Sequence, residues 1–245
     1  MNTRLSAAIS ITLLCFSGTA SAAFLETFDS NNAGWDTYTI QDNNTQAASA
    51  AAWSGSGGNP NGHISMAVDN DATRAYAFAP TLPTSSVDLT GLTLTTDFKM
   101  TGSVTAGNNL LDPVVRFYIG CYACGGQNYY VSNDIMSWDP NSDISWTTHQ
   151  VALLAANFTA WTGIHAGTRT FEQVVAGAAQ DYGLVFTDGI SGHITNSQTL
   201  GFASTSGATI AIDNFGAQVV PVPAAVWLFG SALGLLGWMR RKASL

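Results

Sequence analysis

Alternation with a period of two dominates this chain. Leu92, Leu94, Thr96, Phe98 and Met100 fall on one side of an extended backbone, while Thr93, Thr95, Asp97 and Lys99 fall on the other. Successive side chains of a strand point to opposite faces, so this stretch predicts a half-buried β-strand. Val115, Phe117 and Ile119 against Val114, Arg116 and Tyr118 predict a second. Residues 62–68, 73–79, 128–135, 147–153, 182–187 and 208–219 read as further strands, set between Gly, Asn, Asp and Pro turns. One stretch has a different period: Thr170 is placed to cap, and Phe171, Val174, Val175 and Ala178 follow at i, i+3, i+4 and i+7, which predicts a short helix over 170–179. Many short strands, irregular loops and one helix predict an all-β fold, an antiparallel β-sandwich of jelly-roll type. No fixed-period repeat appears, which disfavours a propeller or solenoid.

At both ends the alternation gives way to uninterrupted apolar runs. Residues 1–22 combine Arg4, an apolar stretch and the small residues Ala20-Ser21-Ala22, the layout of a secretory signal peptide, so the mature chain is expected to begin near Ala23. Cys15 lies inside the apolar stretch and leaves with it. At the other end Pro221-Val222-Pro223 precedes an uncharged run to Met239, closed by Arg240, Arg241 and Lys242. Roughly 16 to 18 residues at 1.5 Å each reach ~24–27 Å, enough for a transmembrane helix whose flanking cations stay cytoplasmic. The expected organisation is a signal peptide over 1–22, one β-sandwich domain over 23–219, and a membrane-directing tail over 220–245.

The tail from Val220 to Gly237, with its proline motif and basic cluster, resembles a PEP-CTERM sorting signal, Val222 standing where that motif has Glu. The resemblance implies an exported protein of a Gram-negative bacterium that makes exopolysaccharide. It implies a precursor held transiently in the inner membrane, cleaved near the proline motif by an exosortase-type protease, and passed to the periplasm, outer surface or extracellular matrix. A plain single-pass anchor that is never cut is the competing reading.

All 16 acids lie in the mature body against only Arg74, Lys99, Arg116 and Arg169, which leaves that body at −12, against −8 for the whole chain. This sign disfavours nucleic acid and anionic lipid as partners of the body. Cys121 and Cys124 remain after export, flanked by glycines. In an oxidising compartment the pair most simply forms a structural disulfide; a redox site would call for a following helix, and zinc for two more ligands.

The body's landmarks run Phe28-Asp29, Gly34-Trp35, Trp53, Gly57 to Ile64, Asp69, Tyr76 to Pro80, Leu92 to Phe98, Phe171 to Val175, Tyr182 to Phe186 and Ile212 to Phe215. In this order they resemble the laminin B-type and related carbohydrate-binding jelly rolls. That resemblance implies a structural calcium between the first and last strands, with Glu26, Asp29 and Asp213 as its acids. The same residues also fit a turn or bulge at Asp213-Asn214 and an Asx-turn at Asp29.

No Gly-x-Ser-x-Gly elbow, His-Glu-x-x-His or phosphate-binding glycine loop occurs, and the four histidines are scattered, so no catalytic residue is assigned and the body reads as a non-enzyme. Tyr122, Tyr129, Tyr130 and Trp138 cluster in sequence after the disulfide and are the candidate ligand platform, since sugars stack on aromatic rings while Asp and Asn take their hydroxyls. Trp35 and Trp53 are assigned to the core. The expected function is binding of polysaccharide or matrix components, with a purely structural or adhesive role and a polysaccharide-degrading enzyme as alternatives.

Overall fold

In the strand β8, spanning Thr93–Thr101, the predicted alternation is realised: Leu94, Thr96, Phe98 and Met100 point into the core. The computed structural model describes residues 22–41, 46–67, 70–71, 74–80, 88–102, 104–106, 113–121, 124–133, 136–137, 144–161, 167–177, 181–188, 202–204 and 208–219. The predicted signal peptide up to Ser21, the sorting motif Pro221 to Pro223 with its helix, and Arg240, Arg241 and Lys242 lie outside the described residues. Among the described residues no helix is long and apolar enough to cross a membrane.

The other strands are β1 (Ala22–Glu26), β2 (Trp35–Gln41), β3 (Gln46–Ala50), β4 (Ala52–Ser54), β5 (His63–Ala67), β6 (Asn70–Asp71), β7 (Arg74–Pro80), β9 (Val104–Ala106) and β10 (Pro113–Cys121). They continue with β11 (Asn128–Ser132), β12 (Met136–Ser137), β13 (Ile144–Ala152), β14 (Phe158–Ala160), β15 (Asp181–Asp188), β16 (Phe202–Ser204) and β17 (Thr209–Gln218). A six-stranded antiparallel sheet runs β13-β8-β17-β5-β4, with β1 also paired to β17. An eight-stranded one runs β14-β11-β10-β15-β7-β2-β3, with β12 on β10, and β6, β16 and β9 form a small third sheet. The two large sheets enclose one core in a β-sandwich, as the periodicity predicts.

The core joins side chains from both sheets, among them Trp35, Phe78, Phe98, Phe117, Phe186 and Phe215. Phe215 sits 4.8 Å from Trp35, ring centre to ring centre, in a T-shaped contact. A bulge aims it there. The β8–β17 register shifts between Asp213 and Gly216, and Asn214 takes a φ of 48°. One extra residue resets the alternation, so Ile212 and Phe215 both face inward. The turn-or-bulge reading of Asp213-Asn214 is thus realised as a bulge.

The helix α1, Phe171–Val175, is shorter than predicted. Its start follows the cap: Thr170 Oγ1 accepts from the Gln173 N–H, and the Thr170 N–H donates to Gln173 Oε1 at 3.0 Å. Phe171, Val174 and Val175 are its buried face. Gly177 follows at a φ of 115°, a backbone that ends helices.

The outer face of β8 departs from expectation. Thr93, Thr95 and Asp97 are also buried, at 6–7% exposure, where the sequence pattern expects a solvated polar side. A glycine-rich segment before β5 lies over that face, and Asn59 Nδ2 donates to Asp97 Oδ2 at 3.2 Å.

Candidate functional site

A second, smaller apolar cluster forms on the face of the eight-stranded sheet that points away from the core. It comprises Ala77, Ala79, Tyr118, Tyr129, Val131, Trp161 and Val185, with Tyr38 packed at its side. These residues occupy the strand positions between the inward-facing ones, such as Phe117 and Ile119 on β10 and Leu184 and Phe186 on β15.

Two glycines make the arrangement possible. Tyr118 stands directly opposite Gly183 on β15, and Tyr129 directly opposite Gly120 on β10. Each tyrosine ring lies over its cross-strand glycine: a Cβ at Gly183 would come within 3.1 Å of Tyr118 Cε1, and one at Gly120 would overlap the Tyr129 ring. The two rings lie 6.2 Å apart, and Trp161 completes the group at 5.7 Å from Tyr118 and 6.3 Å from Tyr129. The Trp161 backbone N–H is anchored to the Tyr129 carbonyl at 2.9 Å.

Asp181, buried at the start of β15, ties the rings together. Tyr118 Oη donates to its Oδ1 at 3.1 Å, and Tyr129 Oη to its Oδ2 at 2.7 Å. Burial pushes the Asp181 carboxyl up to about 6, outweighing the two phenolic donors that favour its anion. Burial, followed by the Asp181 charge, also pushes Tyr118 well above the ordinary tyrosine range. Tyr38 is raised by burial first, then by Asp181 and Asp36. Asp36 and Tyr38 stand opposite Ala79 and Ala77 on β7, so both share this outer face, and both are partly exposed. Trp161 is 2% exposed, and its Nε1 has no hydrogen-bond partner among the described residues. The result is an aromatic floor with a carboxylate beneath it and an open margin at Tyr38 and Asp36.

The predicted platform is redistributed. Tyr122 and Trp138 lie outside the described residues. Tyr129 and Tyr130 are neighbours on β11 and therefore point to opposite faces. Tyr129 joins the outer cluster, whereas Tyr130 turns inward against Phe171, 5.4 Å between ring centres, and its Oη donates to the Arg169 carbonyl at 2.7 Å. One surface cannot hold both. Tyr38, Tyr118, Trp161 and Asp181 escaped the sequence reading because they are brought together by strand pairing. Gly120 and Gly183, within otherwise β-forming runs, were the available signal.

Cys121 and Cys124 form the predicted disulfide. Its loop is fastened from outside: Arg169 Nε donates to the Cys124 carbonyl at 2.9 Å, and the Arg169 N–H to Asn128 Oδ1 at 2.8 Å.

Of the three acids expected to hold calcium, Asp29 and Asp213 come close enough to interact electrostatically, with Asp97 as a third partner. Glu26 instead faces Tyr182, helping burial push that phenol up to about 12. Asp213 Oδ2 accepts from the Asn59 N–H at 2.6 Å, and Oδ1 from the Asn214 N–H at 2.7 Å. Asp97 accepts from Asn59 Nδ2, Asn214 Nδ2 and Thr148 Oγ1. Asp29 accepts from Thr27 Oγ1 at 2.8 Å and lies below the usual carboxylate range, chiefly through that bond and one from Asn61. These carboxylates are thus hydrogen-bonded by N–H and O–H donors, and Glu26, beside Tyr182, is not part of their group. Among the described residues no group of three His, Cys, Asp or Glu side chains could hold a metal ion.

No family model matches the chain, and no curated protein matches it. Among solved structures, it is similar to the family 11 carbohydrate-binding module from Clostridium thermocellum in complex with a β-1,3-1,4-mixed-linked tetrasaccharide. That match has 14% identity, covers 82% of this chain and 96% of the other, and has a TM-score of 0.44. The family 11 module of a cellulosomal cellulase of the same organism is matched at 14% identity over 80% of this chain and 95% of that one, with a TM-score of 0.40.

Proposed function

We propose that the protein is an exported polysaccharide-binding module of the cell surface or exopolysaccharide matrix, working by adhesion without chemistry, through the outer face of its eight-stranded sheet. The observation that carries this reading is the pair of tyrosines, Tyr118 and Tyr129, each laid over a cross-strand glycine and both pinned to Asp181. Tyr118 and Tyr129 are themselves buried, 4% and 7% exposed, so the ring open to a pyranose is Tyr38 at the margin, and the fixed cluster on which it packs preorganises it for stacking. The approach is from the Tyr38 margin, where Asp36, on the same face and partly exposed, is placed to accept sugar hydroxyls. Delivery follows the terminal segments: a signal peptide over 1–22, then a tail whose proline motif and basic cluster suit transient anchoring and cleavage by an exosortase-type protease.

Incubation of the full chain with the polysaccharide made by its own host tests the reading. Co-sedimentation without release of new reducing ends is the expected result. Release of reducing ends would make the protein a polysaccharide-degrading enzyme, and failure to co-sediment would leave a purely architectural role.

A further inference from the structure

The strand β3 leaves one edge of the eight-stranded sheet open. Along an antiparallel pair, residues that exchange hydrogen bonds alternate with residues whose N–H and C=O point away from the partner. The Ala51 N–H donates to the Trp35 carbonyl at 3.0 Å, in step with the β2–β3 register, so Ala47, Ser49 and Ala51 turn their backbone groups toward β2. The Ser49 carbonyl, which also accepts from Thr37 Oγ1 at 3.2 Å, agrees with this. Ala48 and Ala50 turn theirs outward, where β3 meets no further strand among the described residues.

Native edges are ordinarily blunted by shortness, bulges, charge or proline. The other edges among the described residues follow that rule. β4, β9 and β14 have three residues each, β6 and β12 have two, and β1 and β13 pair with a register shift. β3 has five residues in unbroken register, without charge or proline, and Ala47, Ala48, Ser49 and Ala50 are all exposed. Beyond Ala51 the chain passes to β4 at the rim of the six-stranded sheet, where Trp53, assigned to the core by its sequence context, is instead 44% exposed.

The occupant that fits this edge is a second copy of the chain. The body is strongly acidic, which opposes association of like molecules, yet residues 43–68 hold no Asp, Glu, Lys or Arg. Repulsion is therefore weakest here. Ala and Ser side chains offer no charge or pocket by which a foreign sequence could be selected, whereas self-pairing needs only backbone groups and matched residue sizes. A two-fold axis at Ser49 sets it against the partner's Ser49 and sets Ala48 and Ala50 against the partner's Ala50 and the partner's Ala48, small residues throughout.

We propose that β3 pairs antiparallel with β3 of a second copy, joining two eight-stranded sheets into one. The pairing uses the outward N–H and C=O groups of Ala48 and Ala50, about four hydrogen bonds in all. A strand of this length buries far less than the roughly 800 Å² per partner of a stable complex. The dimer is accordingly weak and forms where the protein is concentrated. Its consequence lies on the outer face, because Tyr38 stands opposite Ala48 and Asp36 opposite Ala50. The joined row then reads Tyr38, Ala48, the partner's Ala50, the partner's Asp36. Only methyl groups stand between the two margins, which are three strand spacings or about 14 Å apart. One extended saccharide chain can touch both. The dimer is independent of the tyrosine reading; this shared use of the margins rests on it.

Sedimentation velocity of the full chain in detergent, over a range of concentrations and without glycan, tests the pairing. Ser49→Asp and Ser49→Lys each set like charges across the axis and should weaken self-association about tenfold, while an equimolar mixture of the two should restore it. Ala48→Pro, which removes an outward N–H but no bond to β2, should weaken it as well. A chain that stays monomeric at every concentration overturns the proposal. So does association that neither charge at position 49 alters, or a loss in both variants that mixing does not repair. Polysaccharide binding is read separately: a dimer that binds none sinks the tyrosine reading and leaves the pairing standing, and a monomer that binds does the reverse.

Discussion

Asp97 and Asp213 stand directly opposite each other on β8 and β17, two carboxylates side by side on one sheet face. Like charges so placed repel. Here the repulsion is offset by shared donors: Asn59 reaches one carboxylate with its backbone N–H and the other with its side chain, and Asn214 does the same. Together with burial, which is the largest influence, the repulsion pushes Asp213 up to about 6. The cluster is a fastening for the glycine-rich segment, built from groups at positions 59, 97 and 213–214.

Asn214 combines two roles in this fastening that substitution can separate. Its side chain donates to Asp97 and to the Asn59 carbonyl, and its backbone occupies the left-handed region. Asn214→Ala is expected to cost about 2–4 kcal/mol, from a lost bond to a charged acceptor and the left-handed penalty of a Cβ. Asn214→Gly should recover about 1 kcal/mol of that, because only the backbone part is relieved. Denaturant unfolding of the two variants checks the split.

The pH dependence of stability has a definite sign. The Asp181 carboxyl sits at about 6 in the folded protein against an ordinary 3.8, so between these values the folded state holds a proton that the unfolded chain releases. Stability is therefore greatest below about pH 4, falls as pH rises toward about 6, and levels off above. A shift of this size corresponds to roughly 3 kcal/mol at most. Asp213 adds a slope of the same direction. Asp181→Asn is expected to flatten the profile by about half, as read from unfolding midpoints between pH 4 and 7.

Calcium is expected to leave stability unchanged, because the oxygens of Asp213 and Asp97 already accept N–H and O–H donors. Thermal unfolding with excess calcium and with EDTA should agree within about 1 °C. A ligand that binds only the folded state at a hundredfold excess over its Kd would contribute about 2.7 kcal/mol, a rise of several degrees. Such a rise would mean that the cation displaces these donors.

Gly120 tests the tyrosine surface from beneath. A methyl group there would overlap the Tyr129 ring, so Gly120→Ala should lift that ring away from Asp181 and destabilise the fold by about 1–3 kcal/mol. Loss of the protected Tyr129 hydroxyl proton in NMR spectra, with the Cys121–Cys124 disulfide retained, would report the displacement.

How far the chain could be read in advance depended on whether the information was local. The strand positions of Leu94, Phe98, Phe117 and Ile119 follow from period-two alternation, and Thr170 announces α1 through its cap. The strands β2 to β4 carry Thr, Ala, Ser and Gln in place of a clear apolar stripe, so pattern alone did not mark them. The burial of Asp97 was illegible for another reason: its cover comes from Asn59, 38 residues earlier. The same applies to Asp181, whose two tyrosine partners lie 63 and 52 residues away. Trp53 was misassigned because composition cannot tell an edge strand from a central one.

Affinity electrophoresis through gels containing the host's own exopolysaccharide tests the central claim most directly, comparing the unmodified chain with Tyr129→Ala and Tyr38→Ala. Removing the margin ring of Tyr38, or the buried Tyr129 ring of the cluster on which it packs, should weaken retention by about tenfold, the equivalent of 1.4 kcal/mol, with the variants still folded by near-ultraviolet circular dichroism. Retardation of the unmodified chain and its loss in both variants is the predicted result. Free migration of the unmodified chain, or equal retardation of all three, would contradict the assignment of polysaccharide binding to this face.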